Sequence, residues 1–330
     1  MIDRLRFGYR IIGNTAGRRR FVDAAAALAG YAACDPKAVV HRESYLSAFW
    51  FGADFRAYLR KTGSTKGFDG PCWAPFVWWD IDNKEDPQAA LDGARRLAAA
   101  VLDRYRALDD EELLLFFSGA KGFHVGLPLC WEAAPALDFN RVARRFAERF
   151  AQLASVNIDT SIYDKVRAFR APNSRHPKTG LHKRRLLHDE LMELSLDGIC
   201  RLAESPEPFG LPMPSETCDQ AAADWSGAAA RVREEAEGTA RRRAAVANGT
   251  PTLNRQTLDF IRDGAEQGDR HRLLFSAAAN LAEFNCPPAL AHALLTEAAL
   301  DSGLPPSDVR RQIECGLNHV KNSSEGNSRE

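Results

Sequence analysis

The stretch Phe76-Val-Trp-Trp-Asp-Ile-Asp82 decides how the first part of the chain is interpreted. Pro75 precedes it, and its apolar and aromatic residues predict a short buried strand. Asp80 and Asp82 are two positions apart, so a strand presents both carboxylates on one face. Two adjacent carboxylates repel each other unless a cation lies between them, and oxygen ligands of this kind suit Mg²⁺ or Mn²⁺. Taken alone, the pattern is also typical of a strand that ends in a polar turn.

A second segment, Ser118-Gly-Ala-Lys-Gly-Phe-His124, is predicted to be a loop between two strands. Its glycines allow close approach of a ligand to the backbone, and Ser118, Lys121 and exposed N–H groups would hold phosphate oxygens. His124 begins the next strand and is expected to point into the same cavity. The alternative is an ordinary hairpin turn followed by a core histidine. The segment is not a P-loop, because the GxxxxGK[ST] pattern is absent.

The third segment combines Ile158-Asp159 with a basic region. Between Lys165 and Arg185 there are eight Lys or Arg residues and no carboxylate. Asp159 is a candidate third metal ligand, and Arg170 would form paired hydrogen bonds with phosphate oxygens while His176 donates to a phosphate. The alternative is a solvated basic loop. Template phosphates would also bind here, with strong salt dependence.

The order of predicted elements indicates an α/β core. Asp138 is expected to cap one of its helices. The predicted elements are helix Phe21–Ala33, a strand and helix within Ser44–Arg60, strand Phe76–Ile81, helix Pro87–Ala107, strand Leu113–Phe117, strand Phe123–Leu129 and helix Phe139–Leu153.

The second part of the chain is predicted to be helical. Four prolines in Ser205–Ser215 indicate a linker, and Asp224–Ala247 has the composition of a connecting helix. The chain is predicted to contain four regions. They are a catalytic domain over 1–204, a linker and connecting helix over 205–252, a helical domain over 253–321 and a disordered tail over 322–330. The helices expected in the third region are Leu253–Asp263, Arg270–Phe284, Pro288–Ser302 and Ser307–Val320.

The formal net charge of zero argues against a protein that coats DNA through overall basicity. The seven cysteines are scattered singly and none has the spacing of a zinc site, so reduced thiols are expected. No signal peptide and no apolar run of transmembrane length is found. These features predict a cytoplasmic protein that does not contact a membrane.

The joint order of the three segments resembles the archaeo-eukaryotic primase superfamily. That family places a hydrophobic strand ending in Asp-x-Asp before a small-residue loop with a basic residue, Gly and His, followed by a hydrophobic–Asp element. Arg170-Ala-Pro-Asn-Ser-Arg-His176-Pro-Lys-Thr-Gly180 is similar to a further family segment and is the most specific match. The resemblance covers roughly Ser44–Leu187. It implies an RRM-like sheet beside a smaller α/β unit, followed here by a small helical domain.

The resemblance implies a DNA primase-polymerase that synthesises primers on single-stranded DNA from NTPs or dNTPs with two Mg²⁺ or Mn²⁺ ions. The metal-binding catalytic carboxylates would be Asp80, Asp82 and Asp159. The expected nucleotide-binding residues are Ser118, Lys121, Gly122, His124, Arg170, Ser174, His176 and Lys178. The candidate DNA contacts are Arg167, Arg175, Lys183, Arg270 and Arg272.

The chain departs from the family pattern because about thirty-five residues separate His124 from Asp159, which leaves no room for the zinc-binding insertion of several members. Residues 253–320 are similar to the helical C-terminal modules of phage and plasmid primases, and the resemblance therefore adds a replicative helicase to the expected partners. Two other functions stay open. One is a repair polymerase that only extends existing primers, and the other is a non-catalytic nucleic-acid-binding module of replication initiation.

Overall fold

The structure is a computed structural model that describes residues 6–83, 85–214, 216–248 and 253–325. The chain divides into two compact units, Met1–Glu235 and Ala236–Glu330. The first is an α/β unit with antiparallel sheets and the second is helical, which confirms the predicted fold class. The division falls inside the connecting helix, whereas the predicted boundaries lie at 204 and 253.

Ten strands form two sheets within the described part of the first unit. Every strand pair is antiparallel. The strands are β1 (Phe7–Ile12), β2 (Arg20–Asp23), β3 (Ser44–Ser47), β4 (Trp50–Phe51), β5 (Cys72–Trp73), β6 (Phe76–Asp82), β7 (Leu114–Phe117), β8 (Gly122–Pro128), β9 (Ala168–Arg170) and β10 (Arg184–Leu186).

The larger sheet has the order β5-β4-β1-β3-β9, and β2 pairs with β1 beside that path. The smaller sheet has the order β10-β7-β8-β6. In the smaller sheet Asp80 lies opposite His124 and Asp82 lies opposite Gly122. Because directly opposed residues share a face, this register carries the residues of two predicted motifs to one end of the sheet.

The described residues form seven helices in the first unit or across its boundary, and the third and fourth of them pack on strand β6 of the smaller sheet. Trp79 on β6 is fully buried and its indole Nε1 donates to Ala147 O at 2.9 Å. Phe146 and Phe150 pack against the same indole. The helices are α1 (Ala24–Ala32), α2 (Ala53–Thr62), α3 (Pro87–Arg104), α4 (Phe139–Leu153), α5 (His188–Glu193), α6 (Leu196–Leu202) and α7 (Asp219–Asn248).

Asp224 anchors the beginning of α7 within the first unit. Its buried carboxylate accepts hydrogen bonds from Arg104 at 2.5 and 2.6 Å, from the Tyr105 hydroxyl at 3.0 Å and from Arg149 at 3.0 Å. Paired, hydrogen-bonded charges of this kind offset the cost of burying a carboxylate. Arg104 and Tyr105 end α3 and Arg149 lies on α4, so three helices meet at this side chain.

The helical unit contains α8 (Arg255–Asp263), α9 (Arg270–Glu283), α10 (Pro288–Asp301) and α11 (Pro306–Glu325). Their apolar faces form a separate core that includes Leu274, Leu295 and Ile313. Asn254 caps α8 by accepting a hydrogen bond from Thr257 N at 2.8 Å. The four predicted helices are therefore confirmed with small changes at their ends.

Several local predictions were wrong. Arg20–Asp23 is a strand paired with β1 rather than the start of a helix, and the helix begins after Asp23, whose side chain caps it. Asp138 is at the N-cap of α4 but makes no side-chain capping hydrogen bond. α7 begins at Asp219, and α11 continues to Glu325, into the tail predicted to be disordered. The rest of that tail, 326–330, lies outside the described residues. Within the described part of the chain, no helix has the length and apolar composition needed to cross a membrane.

Candidate active site

An open cleft of about 660 Å³ lies where the ends of β6 and β8 face β3 and β9. We call it the carboxylate cleft. Half of the predicted site residues line it, and they come from all three motif segments. They are Asp80, Asp82, Ser118, Lys121, His124, Arg167, Arg170 and His176. Carboxylates and cations thus share one open cleft.

Asp80 is the more enclosed of the two strand carboxylates, and Asp82 is exposed. His124 Nε2 lies 3.3 Å from Asp80 Oδ1, at an angle outside hydrogen-bond geometry, and this buried oxygen has no hydrogen-bond partner among the described residues. Burial acts to raise the pKa of Asp80, but the nearby His124, Lys183 and Arg167 outweigh it and hold that pKa below its ordinary value. Asp80 is therefore an ionised carboxylate with an unsatisfied oxygen, which fits a cation ligand.

His124 is fully enclosed beneath the cleft, with its ring 4.6 Å from that of Phe169. Burial and the neighbouring Lys183 lower the pKa of His124 to about 4, although Asp80 opposes them. The imidazole is consequently neutral near pH 7. Its Nε2 is 3.3 Å from Asp80 Oδ1, so the ring lies against this carboxylate without a full positive charge.

Lys183 was predicted as a DNA contact, but the structure places it beneath the cleft, 1 % exposed. Its Nζ donates to Arg170 O at 3.0 Å and lies 4.1 Å from the ring centroid of Phe169 and 4.7 Å from that of Phe116. Burial holds the pKa of Lys183 well below its ordinary value. Lys183 is therefore part of the interior electrostatics of the site rather than its surface.

Arg170 is held by two residues that sequence reasoning missed. Its Nη2 donates to the Tyr45 hydroxyl at 3.1 Å, and its guanidinium carbon lies 5.1 Å from the Tyr45 ring centroid. Tyr45 in turn donates to Glu43 at 2.5 Å. Burial and this Glu43 contact raise the pKa of Tyr45 to about 12. Nη1 of Arg170 is buried without a hydrogen-bond partner in the described structure, and Arg170 lines the carboxylate cleft with one donor unused.

The spacing of Glu43 and Tyr45 could have predicted that their side chains lie together, since residues two apart at the start of a strand share a face. Their pairing with Arg170 depends on the register Tyr45↔Arg170 between β3 and β9. That register joins positions far apart in the chain, which explains why local patterns did not reveal it.

The loop 118–121 and the turn 176–180 are connected directly. Gly119 has φ 88°, and an added Cβ would lie 3.1 Å from Leu181 O and 3.2 Å from His176 Cβ. Thr179 Oγ1 donates to Gly119 O at 2.5 Å. Glycine is required here by both its positive φ and the close approach of the second segment.

The ring orientation of His176 is set by its own turn. Its Nδ1 lies 3.3 Å from the backbone N of both Lys178 and Thr179, and these N–H groups donate to it. The remaining ring nitrogen, Nε2, therefore carries the proton of the neutral ring. Burial and the nearby Arg170 lower the pKa of His176. His176 is thus a neutral donor on the wall of the carboxylate cleft.

Asp159 lies beside Asp80 in the backbone but does not line the cleft. Its N–H donates to Asp80 O at 2.8 Å. Its carboxylate accepts from Ser161 N at 2.9 Å and Ser161 Oγ at 2.8 Å, and lies 3.9 Å from Arg167 Nη2. Among the described residues there is no group of three or more His, Cys, Asp or Glu side chains placed to hold a metal ion. Asp80 and Asp82 thus fit a divalent cation by donor chemistry, while Asp159 is engaged elsewhere.

Other predicted residues lie around the cleft rather than in its wall. Ser174 is buried and its hydroxyl donates to Ala171 O at 2.7 Å. Arg175 Nε donates to Gly180 O at 2.9 Å. Lys178 is exposed on the 176–180 turn. These three residues stabilise or flank the turn that carries His176.

In the helical unit, the two predicted DNA contacts differ in their surroundings. Arg270 Nη1 donates to Ser302 O at 2.8 Å and to Gly303 O at 3.0 Å, so it satisfies carbonyls at the end of α10. Arg272 is exposed and forms a 2.9 Å ion pair with Asp269 on its own helix. Arg270 is therefore engaged in the internal structure of this unit.

Gly122, a predicted nucleotide-binding residue, begins β8 directly against the Asp82 carboxylate. A Cβ at this position would lie 1.7 Å from Asp82 Oδ1 and 2.9 Å from Ile81 O. We expect Gly122→Ala to displace the Asp82 carboxylate and to reduce any activity that depends on Asp82 at least about tenfold, because a misplaced reacting group commonly costs 10²-fold. Activity and circular dichroism of the purified variant would be measured beside Gly210→Ala, whose added Cβ meets nothing within 4 Å. Equal activity of the two variants would contradict this role.

Comparison with known proteins yields one weak structural likeness. No protein-family model and no curated protein matches the chain. A solved structure of the polymerase domain of ligase D from Mycobacterium tuberculosis, in complex with DNA, has a TM-score of 0.31 and 17% sequence identity, over 58% of this chain and 69% of that one. At this level the likeness carries no functional argument, and the function of this chain has to be inferred from its own residues.

Proposed function

We propose that the protein is a nucleotidyltransferase that synthesises primers on single-stranded DNA from nucleoside triphosphates. The observation that carries this proposal is the composition of the carboxylate cleft. Asp80 and Asp82 lie on one wall, and Lys121, Arg170 and His176 lie around the same space. Phosphoryl transfer from a metal-bound triphosphate requires both types of group at short range.

In this proposal Asp80 and Asp82 hold Mg²⁺ or Mn²⁺, and Asp159 stays the candidate third ligand of a two-ion site. The unsatisfied Oδ1 of Asp80 supports such a role, since a buried carboxylate oxygen without a donor needs a partner. When bound, the ions would neutralise triphosphate charge and promote ionisation of the attacking 3′-hydroxyl.

The remaining residues would bind and orient the triphosphate. Arg170, fixed by Tyr45 and Glu43, offers a guanidinium whose position is set before the ligand arrives. His176 offers an Nε2–H donor, and Lys121 offers a positive charge in the wall of the same cleft. Because these groups are already placed, they would stabilise charge that develops on the phosphates with little reorganisation. The enclosed, neutral His124 would keep Asp80 oriented from below.

The test is synthesis on unprimed single-stranded DNA with labelled nucleotides and Mg²⁺ or Mn²⁺. We expect short products from the native protein without any primer. Extension of a supplied primer without unprimed synthesis would replace the proposal by a repair-type polymerase. DNA binding without incorporation in either reaction would leave a non-catalytic binding module. Omitting one nucleotide at a time would show whether incorporation follows the template.

A further inference from the structure

A second, strongly basic cleft lies apart from the predicted motifs. It is an open space of about 1170 Å³ between the start of β2 and helix α2. We call it the arginine cleft, defined by Arg18, Arg19, Arg20, Phe21, Arg56 and Arg60. No carboxylate lines it, and none of its five arginines forms an ion pair with a carboxylate in the described part of the chain. Uncompensated guanidinium groups at this density repel one another unless an anion binds.

Two of the arginines are held by aromatic rings. The guanidinium carbon of Arg56 lies 5.2 Å from the ring centroid of Phe21, and that of Arg19 lies 5.6 Å from that of Tyr9. Stacking of this kind fixes the plane of a guanidinium and leaves its N–H edge available for an anion. The arginine cleft is therefore partly ordered in the absence of a ligand.

One cation of the arginine cleft and one of the carboxylate cleft lie near the buried side chain of Tyr9. The Tyr9 hydroxyl donates to Val166 O at 2.6 Å, next to Arg167 of the carboxylate cleft. Burial raises the pKa of Tyr9 to about 12, while the charges of Arg19 and Arg167 oppose it, so both cations lie near the same phenol. Arg19 of the arginine cleft and Arg167 of the carboxylate cleft thus both lie near the buried side chain of Tyr9.

We infer that the arginine cleft binds consecutive backbone phosphates of a single-stranded nucleic acid whose end enters the carboxylate cleft. This inference rests on the proposed function, because it identifies the strand on which that site would act. Phosphates match guanidinium groups in charge and in paired hydrogen-bond geometry. An acidic peptide would match the charge, but it has no reason to continue into a nucleotide site.

Binding of a 3′-labelled oligothymidylate would be measured by fluorescence anisotropy over a series of salt concentrations. The variant combines Arg18→Gln, Arg20→Gln and Arg56→Gln. A single-stranded contact contributes about 0.7 to the salt slope, so loss of three contacts should reduce the slope by about 2. We expect affinity near physiological salt to fall at least about tenfold, because each lost contact removes a charge that neutralises a phosphate and releases a counterion.

The matched control combines Arg106→Gln, Arg141→Gln and Arg201→Gln, which removes the same charge from exposed positions elsewhere on the first unit. Circular dichroism would establish that both triple variants fold. The inference would be overturned if the arginine-cleft variant kept the salt slope of the native protein, or if the control lost as much affinity as that variant. It would also be overturned if the native protein did not bind the oligonucleotide. Competition by polyglutamate as strong as that by unlabelled oligonucleotide would also overturn it.

The binding measurement does not depend on catalysis. Asp82→Asn is expected to bind the oligonucleotide like the native protein. Oligonucleotide binding that needs the arginines, in a protein that incorporates no nucleotide, would refute the proposed function while leaving the binding surface in place. Nucleotide incorporation with unchanged binding in the triple variant would refute only the inference about the arginine cleft.

Discussion

The Asp82→Asn protein is expected to lose nucleotide incorporation by at least about a hundredfold in kcat, because removing a group that stabilises transition-state charge commonly costs 10²–10³. Asparagine keeps the shape of the side chain but removes the negative charge that would bind a divalent cation. Asp82 is exposed, so its substitution should change the stability of the fold little. Incorporation would be measured with saturating metal and nucleotide, together with Tm.

The matched control is Asp103→Asn. Asp103 lies on α3 with 82% of its side chain exposed, and its substitution removes one negative charge far from the cleft residues. We expect near-native incorporation from this variant. Native-like incorporation by Asp82→Asn, or an equal loss in both variants, would contradict the assignment of the carboxylate cleft as the reaction site.

Replacing Lys183 by Met is expected to raise the thermal stability of the protein, most strongly at low pH. In the folded state burial holds the pKa of Lys183 well below 10.5, so the unfolded chain binds this proton more readily. The resulting destabilisation is complete below the folded-state pKa and disappears as pH rises towards 10.5. Methionine has similar length and no charge to bury.

We expect the Tm of Lys183→Met to exceed that of the native protein by at least about 2 °C at neutral pH or below, a shift that corresponds to about 1 kcal/mol in a domain of this size. The difference should shrink as the buffer approaches pH 10. Nucleotide incorporation should fall in the same variant, because Asp80 loses a nearby cation and Arg170 O loses its hydrogen-bond donor.

Lys178→Met is the control for this prediction, since it removes a lysine charge from an exposed position. Its Tm relative to the native protein should not vary in the same way with pH. A Lys183→Met protein that is less stable at every pH would show that the hydrogen bond to Arg170 O and the three surrounding rings outweigh the cost of burying the amine.

The sequence was informative where local pattern and tertiary structure agree. Phe139–Leu153 was predicted as a helix and forms α4 over those residues, because its apolar positions recur with helical spacing and meet one core. The Asp80 and Asp82 pair was assigned to one strand face, and both residues line the carboxylate cleft. The loop 118–121 was placed between two strands, and it joins β7 to β8.

The sequence was misleading where residues far away in the chain determine the secondary structure of a segment or the burial of a side chain. The predicted helix Phe21–Ala33 included Phe21–Asp23, yet pairing with β1 makes these residues part of strand β2. Lys183 was predicted as a DNA contact, although three rings and the Arg170 carbonyl enclose it. Such environments arise from register between segments far apart in sequence, which local composition does not encode.

The hydrogen bond from Thr179 to Gly119 has a consequence for the thermodynamics of ligand binding. It joins two loops that would otherwise fluctuate separately at the cleft, and the positive φ of Gly119 allows them to approach. The conformational entropy of both loops is therefore lost when the protein folds rather than when a ligand arrives. A triphosphate entering this cleft would find a preorganised surface, and more of its intrinsic interaction energy would remain as affinity.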